Sequence, residues 1–216
     1  MTYLITGAHG FIGTHLTREC LQAGIRVIAY DLVRPRWPEP GLEGAVVVEG
    51  DILEPTRLIE TMQAHKVQVV IHLVAYGAGD VGREIGLVKA GDYNPLKGAE
   101  VNVLGALTVF EAADVLWDMV YVKDAAHAFF LAAQVKTPEH RIFNVTGHTA
   151  RPKDMVEVVK RLVPGVHVEV VPGGEPVYPY GLPGKRADRE LGFRPRYSLE
   201  EAAQDYLEDL RNRMKA

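Results

Sequence analysis

An α/β fold built on a doubly wound parallel sheet is predicted for this 216-residue chain by three observations. A short apolar strand, Tyr3-Leu-Ile-Thr6, runs straight into glycines spaced three apart, Gly7, Gly10 and Gly13, and then into a helix. Apolar segments follow at Ile25–Tyr30, Ala45–Glu49 and Val67–Val74. The stretches between them allow helices of ordinary length, the alternation that makes parallel strands with helical crossovers. The chain divides on this reading into a strand-and-helix domain over 1-117 and, over 118-216, remaining sheet elements with a small C-terminal α/β lobe.

Composition narrows the classes. Apolar residues make up 47% and charged residues 24% of a chain long enough to bury a full core. A formal charge of −4 provides no electrostatic footprint for nucleic acid or an anionic membrane. No apolar run approaches the ~18 residues that span a bilayer. With a first strand beginning at the third residue, no signal peptide is expected. The single cysteine, Cys20, cannot form an internal disulfide and reads as a small buried hydrophobe. The expectation is a cytoplasmic protein with no metal, no nucleic-acid partner and no membrane partner.

The glycines have separable tasks. Gly7 turns where a side chain would clash, Gly10 lets backbone approach a pyrophosphate, and Gly13 lets the helix pack near the strand. The helix from about Phe11 aims its unpaired N–H groups and positive dipole end at the phosphates. Gly7, Gly10, Phe11, Ile12 and Gly13 are therefore candidate dinucleotide-binding residues. Gly24 ends that helix, and the second strand finishes on Asp31, about 20 residues downstream, where an acid binds ribose hydroxyls. Leu32 joins the same set. A carboxylate accepts two hydrogen bonds from a diol and repels a 2′-phosphate, which favours NAD over NADP. Arg34 and Arg36 either pair with a 2′-phosphate, should Asp31 swing away, or are solvated loop cations.

The loop Arg34–Gly41 is too proline-rich for a helix or central strand. Ala45–Glu49 is apolar enough for burial on both faces. Gly50-Asp51-Ile52 follows, where Asp51 meets the adenine amino group and Ile52 covers the ring. Asp51 can also cap the helix after Pro55, read as Leu58–His65.

These residues, with His72-Leu-Val-Ala75 and Glu100-Val-Asn-Val-Leu-Gly-Ala-Leu-Thr-Val-Phe-Glu-Ala-Ala113, resemble the extended short-chain dehydrogenases, specifically the NAD-dependent epimerase/dehydratase family. The resemblance covers residues 1 to 113 and implies a Rossmann-type sheet. It places Leu73, Val74 and Ala75 beside the nicotinamide ribose and aligns Asn102 with the family's asparagine, while Ala106 replaces a usual threonine. His72 is then a structural residue bonded within the sheet. The glycine-rich stretch Tyr76–Lys97 either borders the substrate or is disordered.

One departure stands out. In the family, the helix ending in Leu-Glu-Ala-Ala is followed by a strand carrying Ser or Thr and then a helix with Tyr-x-x-x-Lys. Neither follows Ala113 here. Met119-Val-Tyr-Val-Lys-Asp-Ala-Ala-His-Ala-Phe-Phe130 instead resembles a later family segment, as in a relative shortened between Ala113 and Asp118. A Met119–Val122 strand would take the lost strand's sheet position. A tyrosine, with a reference pKa near ~10, acts as acid or base at neutral pH only beside a cation that stabilises its phenolate. Tyr121 and Lys123 would share one face of a strand. They and Tyr76 are the candidate catalytic groups. Their alternatives are an ordinary strand for the first two and a pocket wall for Tyr76.

The remainder, to about residue 211, also follows the family. His140–Gly147 reads as strand and turn, Asp154 as the cap of a helix Met155–Leu162, and Val166–Val171 as a half-buried strand. Ser198 and Glu201 form a capping box for a last helix running to about Arg213. Lys185 and Arg186 either hold an anion such as a nucleotide diphosphate or are solvated. The resemblance implies NAD as cofactor, a small-molecule substrate such as a nucleotide sugar, and hydride transfer as parent chemistry with impaired turnover. Two alternatives remain: a non-catalytic NAD-binding module, and an internally deleted or engineered family member. A homodimer is possible, although one of the family's two pairing helices is missing.

Overall fold

In the computed structural model, the described residues are 1–32, 40–52, 54–74, 115–166 and 181–213. Ala75, Tyr76, Asn102, the stretch Tyr76–Lys97, Arg34, Arg36 and most of the strand expected over Val166–Val171 lie outside them. The chain forms two compact units, one comprising residues 1–75, 122–143 and 186–193, the other 76–121, 144–185 and 194–216.

The first unit contains β1 (Thr2–Thr6), α1 (Phe11–Gln22), β2 (Arg26–Asp31), β3 (Val46–Glu49), α2 (Pro55–Ala64) and β4 (Val69–His72). It also contains α3 (Val122–Gln134) and α5 (Lys185–Leu191). Four strands pair in parallel in the order β3-β2-β1-β4. Strands β1 and β2 sit inside the sheet, and both of their faces are covered. Tyr3, Ile5, Val27 and Ala29 pack on one side with Leu16 and Cys20 of α1 and Ala126 of α3. Leu4, Ile28 and Tyr30 pack on the other with Leu58 and Met62 of α2. Helices on both faces make the sheet doubly wound.

Helix α3 is joined to the rest of the unit by polar contacts as well. His127 Nδ1 lies 2.5 Å from Glu19 Oε1 of α1, and Gln134 Nε2 donates to the hydroxyl of Tyr3 on β1 at 2.7 Å. Cys20 is fully buried, and burial followed by the Glu19 charge pushes its thiol up to about 12. A thiol that stays protonated is no nucleophile.

Strand β3 departs from expectation. Val46 and Val48 pack under α2, but Val47 is exposed, so only one face is covered. Among the described residues it is an edge strand that meets a neighbour on one side, and its burial alternates. Helix α2 begins at Pro55 with Glu54 as N-cap residue, so Asp51 is not its cap. Asp51 contributes instead through its carbonyl, which accepts the Glu54 N–H at 3.1 Å.

In the second unit, β5 (Trp117–Met119) pairs antiparallel with β6 (His148–Ala150), beside α4 (Pro152–Leu162) and α6 (Leu199–Arg213). The expected strand Met119–Val122 is therefore corrected. Its first residue pairs with His148, and its last opens α3, where Asp124 complements the helix dipole. Gly147 permits the β5–β6 approach, since a Cβ there would lie 2.1 Å from the Met119 carbonyl oxygen. Residues 140–147 form no strand. The main chain at His140 and Ile142 is held by side chains of α5: Glu190 accepts the His140 N–H at 3.0 Å and Arg186 donates to the Ile142 carbonyl at 3.0 Å.

Helix α4 starts three residues before Met155. Asp154 sits inside its first turn and accepts the Arg151 N–H at 2.9 Å, reaching back to the cap rather than being it. The Ser198–Glu201 box forms as expected, with the Ser198 N–H donating to Glu201 at 2.8 Å and the Glu201 N–H to Ser198 Oγ at 3.2 Å. Among the described residues no helix is long and apolar enough to cross a membrane.

Candidate functional site

The carboxyl ends of the four parallel strands lie in register: Thr6 pairs with Tyr30 and His72, and Asp31 pairs with Glu49. Strand order reverses between β1 and β4. Such a switch point opens a crevice at the carboxyl ends of the strands, because the following connections leave to opposite faces. The glycine turn from β1 lies there.

Gly7 has φ +71°, a left-handed conformation that side chains rarely adopt, and its N–H donates to the Tyr30 carbonyl at 3.0 Å. Its carbonyl then accepts the Gly10 N–H at 3.1 Å, closing the turn. Gly13 is a matter of space. A Cβ on it would lie 2.1 Å from the Gly7 oxygen and under 3 Å from two backbone atoms of Ala8. Helix α1 can therefore sit this close to the turn only with glycine in that position.

Gly10 is the N-cap residue and contributes no side-chain hydrogen bond. The N–H groups of the first helical turn accordingly keep their donor capacity and point out of the helix end. Phe11, 58% exposed, stands at that rim, and Ile12 packs inward against the core. An anion can approach this end without displacing a cap.

Asp31 ends β2 beside the turn. Its Oδ2 accepts the His9 N–H at 2.9 Å, and its carbonyl accepts the Gly50 N–H at 2.8 Å. The acid is thus tied to the glycine turn on one side and to the loop after β3 on the other. Leu32 is exposed next to it. On the β4 side, Leu73 and Val74 stand against Gly7, and the Leu73 N–H donates to the Thr6 carbonyl at 3.1 Å. His72 Nδ1 is 2.6 Å from Thr6 Oγ1, the bond within the sheet that was expected of it.

Tyr30 was not singled out by sequence reasoning. Its side chain is fully buried against Gly50, and its hydroxyl donates to the Asp51 carbonyl at 2.9 Å. The sequence signal was Gly50: a Cβ there would lie 2.3 Å from the Tyr30 hydroxyl oxygen. The structure thus brings Gly7, Gly10, Phe11, Ile12, Gly13, Asp31, Leu32, Asp51, Ile52, Leu73 and Val74 to the strand ends of one unit. An uncapped helix end and an acid held by the turn fit the pyrophosphate and adenosine portions of a dinucleotide.

Tyr121 and Lys123 do not form the strand pair expected of them. Tyr121 precedes α3 and Lys123 lies in its first turn, so alternation along a strand does not apply. The Tyr121 hydroxyl donates to the Asp205 carboxylate, and the ring meets Tyr197 edge-on at 4.9 Å. Burial, followed by the Asp205 hydrogen bond and charge, raises its pKa far above the ordinary phenol value. That is opposite to what proton transfer at neutral pH requires. Arg186 spends one guanidinium N–H on the Ile142 carbonyl, a brace between chain segments.

Residues 3–116, more than half of the chain, match the family model described as NAD dependent epimerase/dehydratase family. A UDP-glucose 4-epimerase of Klebsiella pneumoniae is 30% identical over 119 residues, covering 52% of this chain and 79% of that sequence. A dTDP-glucose 4,6-dehydratase of Xanthomonas campestris pv. campestris (strain B100) is 27% identical over 156 residues, covering 69% and 41%. Against the UDP-glucose 4-epimerase of Rhizobium leguminosarum bv. trifolii the match covers only 31% of the relative, at 29% identity. The chain thus spans about a third of the length of some curated relatives. Among solved structures, a UDP-glucose 4-epimerase of Thermotoga maritima with UDP-glucose superposes with a TM-score of 0.72 at 18% identity, covering 99% of this chain and 100% of that one. An L-threonine dehydrogenase of Phytophthora infestans gives 0.70 at 11% identity, covering 99% and 100%. At such identities these superpositions establish the shared fold.

Proposed function

Since this chain belongs to the NAD-dependent epimerase/dehydratase family, we propose that it binds NAD at the carboxyl end of its parallel sheet, with a parent chemistry of hydride transfer on a nucleotide sugar or related alcohol. The observation carrying this reading is the uncapped amino end of α1, set behind Gly7 and Gly10 at the point where strand order reverses. When bound, NAD supplies a nicotinamide carbon that accepts or returns a hydride. The α1 N–H groups hold its pyrophosphate, Asp31 accepts the adenosine ribose hydroxyls, and Asp51 and Ile52 meet the adenine. Leu73 and Val74, with Ala75 and Asn102 outside the described residues, complete the set toward the nicotinamide ribose.

Asp31 also supports NAD over NADP. Its carboxylate is already oriented by the His9 N–H, and a 2′-phosphate placed against it would meet like charge. A cytoplasmic location and a homodimer belong to the same proposal.

Turnover is expected to be poor. No Tyr-x-x-x-Lys follows Ala113, and Tyr121 is committed to Asp205. The only tyrosine and lysine four apart in the chain, Tyr93 and Lys97, precede Asn102, enclose Pro95 and lie outside the described residues. A cofactor module without turnover is the second reading, favoured by the same missing segment.

Calorimetric titration with NAD and NADP, followed by hydride exchange with a panel of nucleotide sugars, tests both. Tighter binding of NAD with little exchange is expected, and no binding at millimolar NAD refutes the cofactor site. Exchange that vanishes in Tyr121→Phe refutes the assignment of that tyrosine to structure, and exchange lost in Tyr93→Phe returns the chain to the enzymes.

A further inference from the structure

The loop after β3 presents Asp51 and Ile52, and loops of this length are ordinarily adaptable. Here it is braced from below. Tyr30, the residue before Asp31, has no exposed surface, and its hydroxyl donates to the Asp51 carbonyl at 2.9 Å. That carbonyl also accepts the Glu54 N–H at 3.1 Å, so two donors hold one oxygen. At the start of the loop the Gly50 N–H donates to the Asp31 carbonyl at 2.8 Å, and Arg57 Nε reaches the Glu49 carbonyl at 2.8 Å. Ring and loop are so close that a Cβ at Gly50 would fall within 3 Å of the Tyr30 hydroxyl, Cζ and Cε2.

We propose that Tyr30 is a positioning residue for adenine recognition, acting through its hydroxyl on the Asp51 main chain rather than by touching the cofactor. The inference rests on the NAD site described above. Tyr30 places the hydroxyl well: its ring is fixed between Leu4, Ile28 and α2, so the donor has little freedom to follow the loop. Burial, ahead of the mixed charges of Arg57, Glu54 and Asp51, raises the Tyr30 phenol above its ordinary value. It remains a donor across neutral pH. Two neighbouring residues of one strand then serve the two ends of adenosine, Asp31 the ribose through its carboxylate and Tyr30 the base through the next loop.

The test compares NAD with its hypoxanthine analogue, in which a carbonyl replaces the adenine amino group. Calorimetry is run on the wild type, Tyr30→Phe and Tyr30→Leu. Wild type is expected to prefer NAD. In Tyr30→Phe, NAD affinity is expected to fall about 5-fold, the usual weight of one neutral hydrogen bond, while the analogue changes less, so that the preference narrows. Equal weakening of both dinucleotides, or none, overturns the inference, because a purely structural tyrosine cannot alter the ratio. Tyr30→Leu, which removes ring and hydroxyl together, is expected to lower the melting temperature and narrow the ratio no further than Tyr30→Phe; a wider loss of discrimination overturns the assignment to the hydroxyl. If the wild type binds neither dinucleotide, the cofactor site itself fails and this inference with it.

Discussion

Replacing Gly13 by Ala opposes two effects of known size. Alanine in a helix interior is favoured over glycine by about 1 kcal/mol, so propensity alone makes the variant more stable. The added methyl, however, would stand 2.1 Å from the Gly7 oxygen, 2.8 Å from Ala8 Cα and 2.9 Å from Ala8 C. Those are main-chain atoms, which no rotamer change moves. Ordinary contact needs about 3.5 Å, so the helix and the turn must part by about 1 Å. Overpacking of that kind costs about 3 kcal/mol, leaving a net loss of about 2 kcal/mol against the propensity gain. For a chain of this size that is about 4–8 °C in melting temperature. Urea unfolding followed by circular dichroism reads it, and calorimetry should show NAD affinity falling as the turn shifts. Gly10→Ala is the control. Its Cβ would meet only the Gly7 oxygen, at 3.2 Å, so stability should change by less than about 1 kcal/mol while dinucleotide binding is lost. A Gly13→Ala protein with an unchanged urea midpoint would refute the close-packing argument.

Asp31→Asn keeps the shape and removes the charge; NAD affinity should fall about 10-fold and the gap to NADP should narrow, measured by competition titration. Ser198→Ala removes the hydroxyl that accepts the Glu201 N–H and should cost about 1 kcal/mol of stability in thermal melts. Glu190 has the clearest pH signature. Burial pushes its carboxyl up, but the His140 N–H, Arg189 and the His140 ring together outweigh that and hold it at about 2. A carboxyl depressed on folding contributes stability above its unfolded value and loses it as pH falls toward the folded one. The wild type should therefore lose urea resistance between about pH 4.5 and pH 2, and Glu190→Gln should lack that component; parallel curves refute the clamp.

Much of the geometry at the strand ends was legible because its signals are local. Gly7, Gly10 and Gly13 announce a turn through their missing side chains, and Asp31 announces itself by closing the second strand about 20 residues downstream. Ser198 and Glu201 form their cap within four residues of chain. The strands of the parallel sheet were legible as apolar runs between helical segments, and the sheet they form is the one expected. All of these depend on backbone freedom or periodicity within one element, which the order of residues specifies directly.

What required the tertiary structure was the choice among distant partners. Nothing local says that Met119 pairs with His148 rather than beside β4, or that the carbonyl of Ile142 is met by Arg186 instead of a neighbouring strand. Burial of β3 was misread because apolar composition does not reveal which strand lies at an edge. Tyr121 and Tyr30 make the same point with two phenols: one is bonded to a carboxylate 84 residues away, the other to the Asp51 carbonyl in the loop after β3. Sequence alone determined where the glycine turn and the uncapped helix end proposed to hold a dinucleotide's charged bridge lie, because glycines and bare backbone N–H groups make that geometry. Packing alone decided which hydroxyls are occupied and which chain segments they fix, because hydrogen-bond partners far apart in sequence become neighbours only when the core closes.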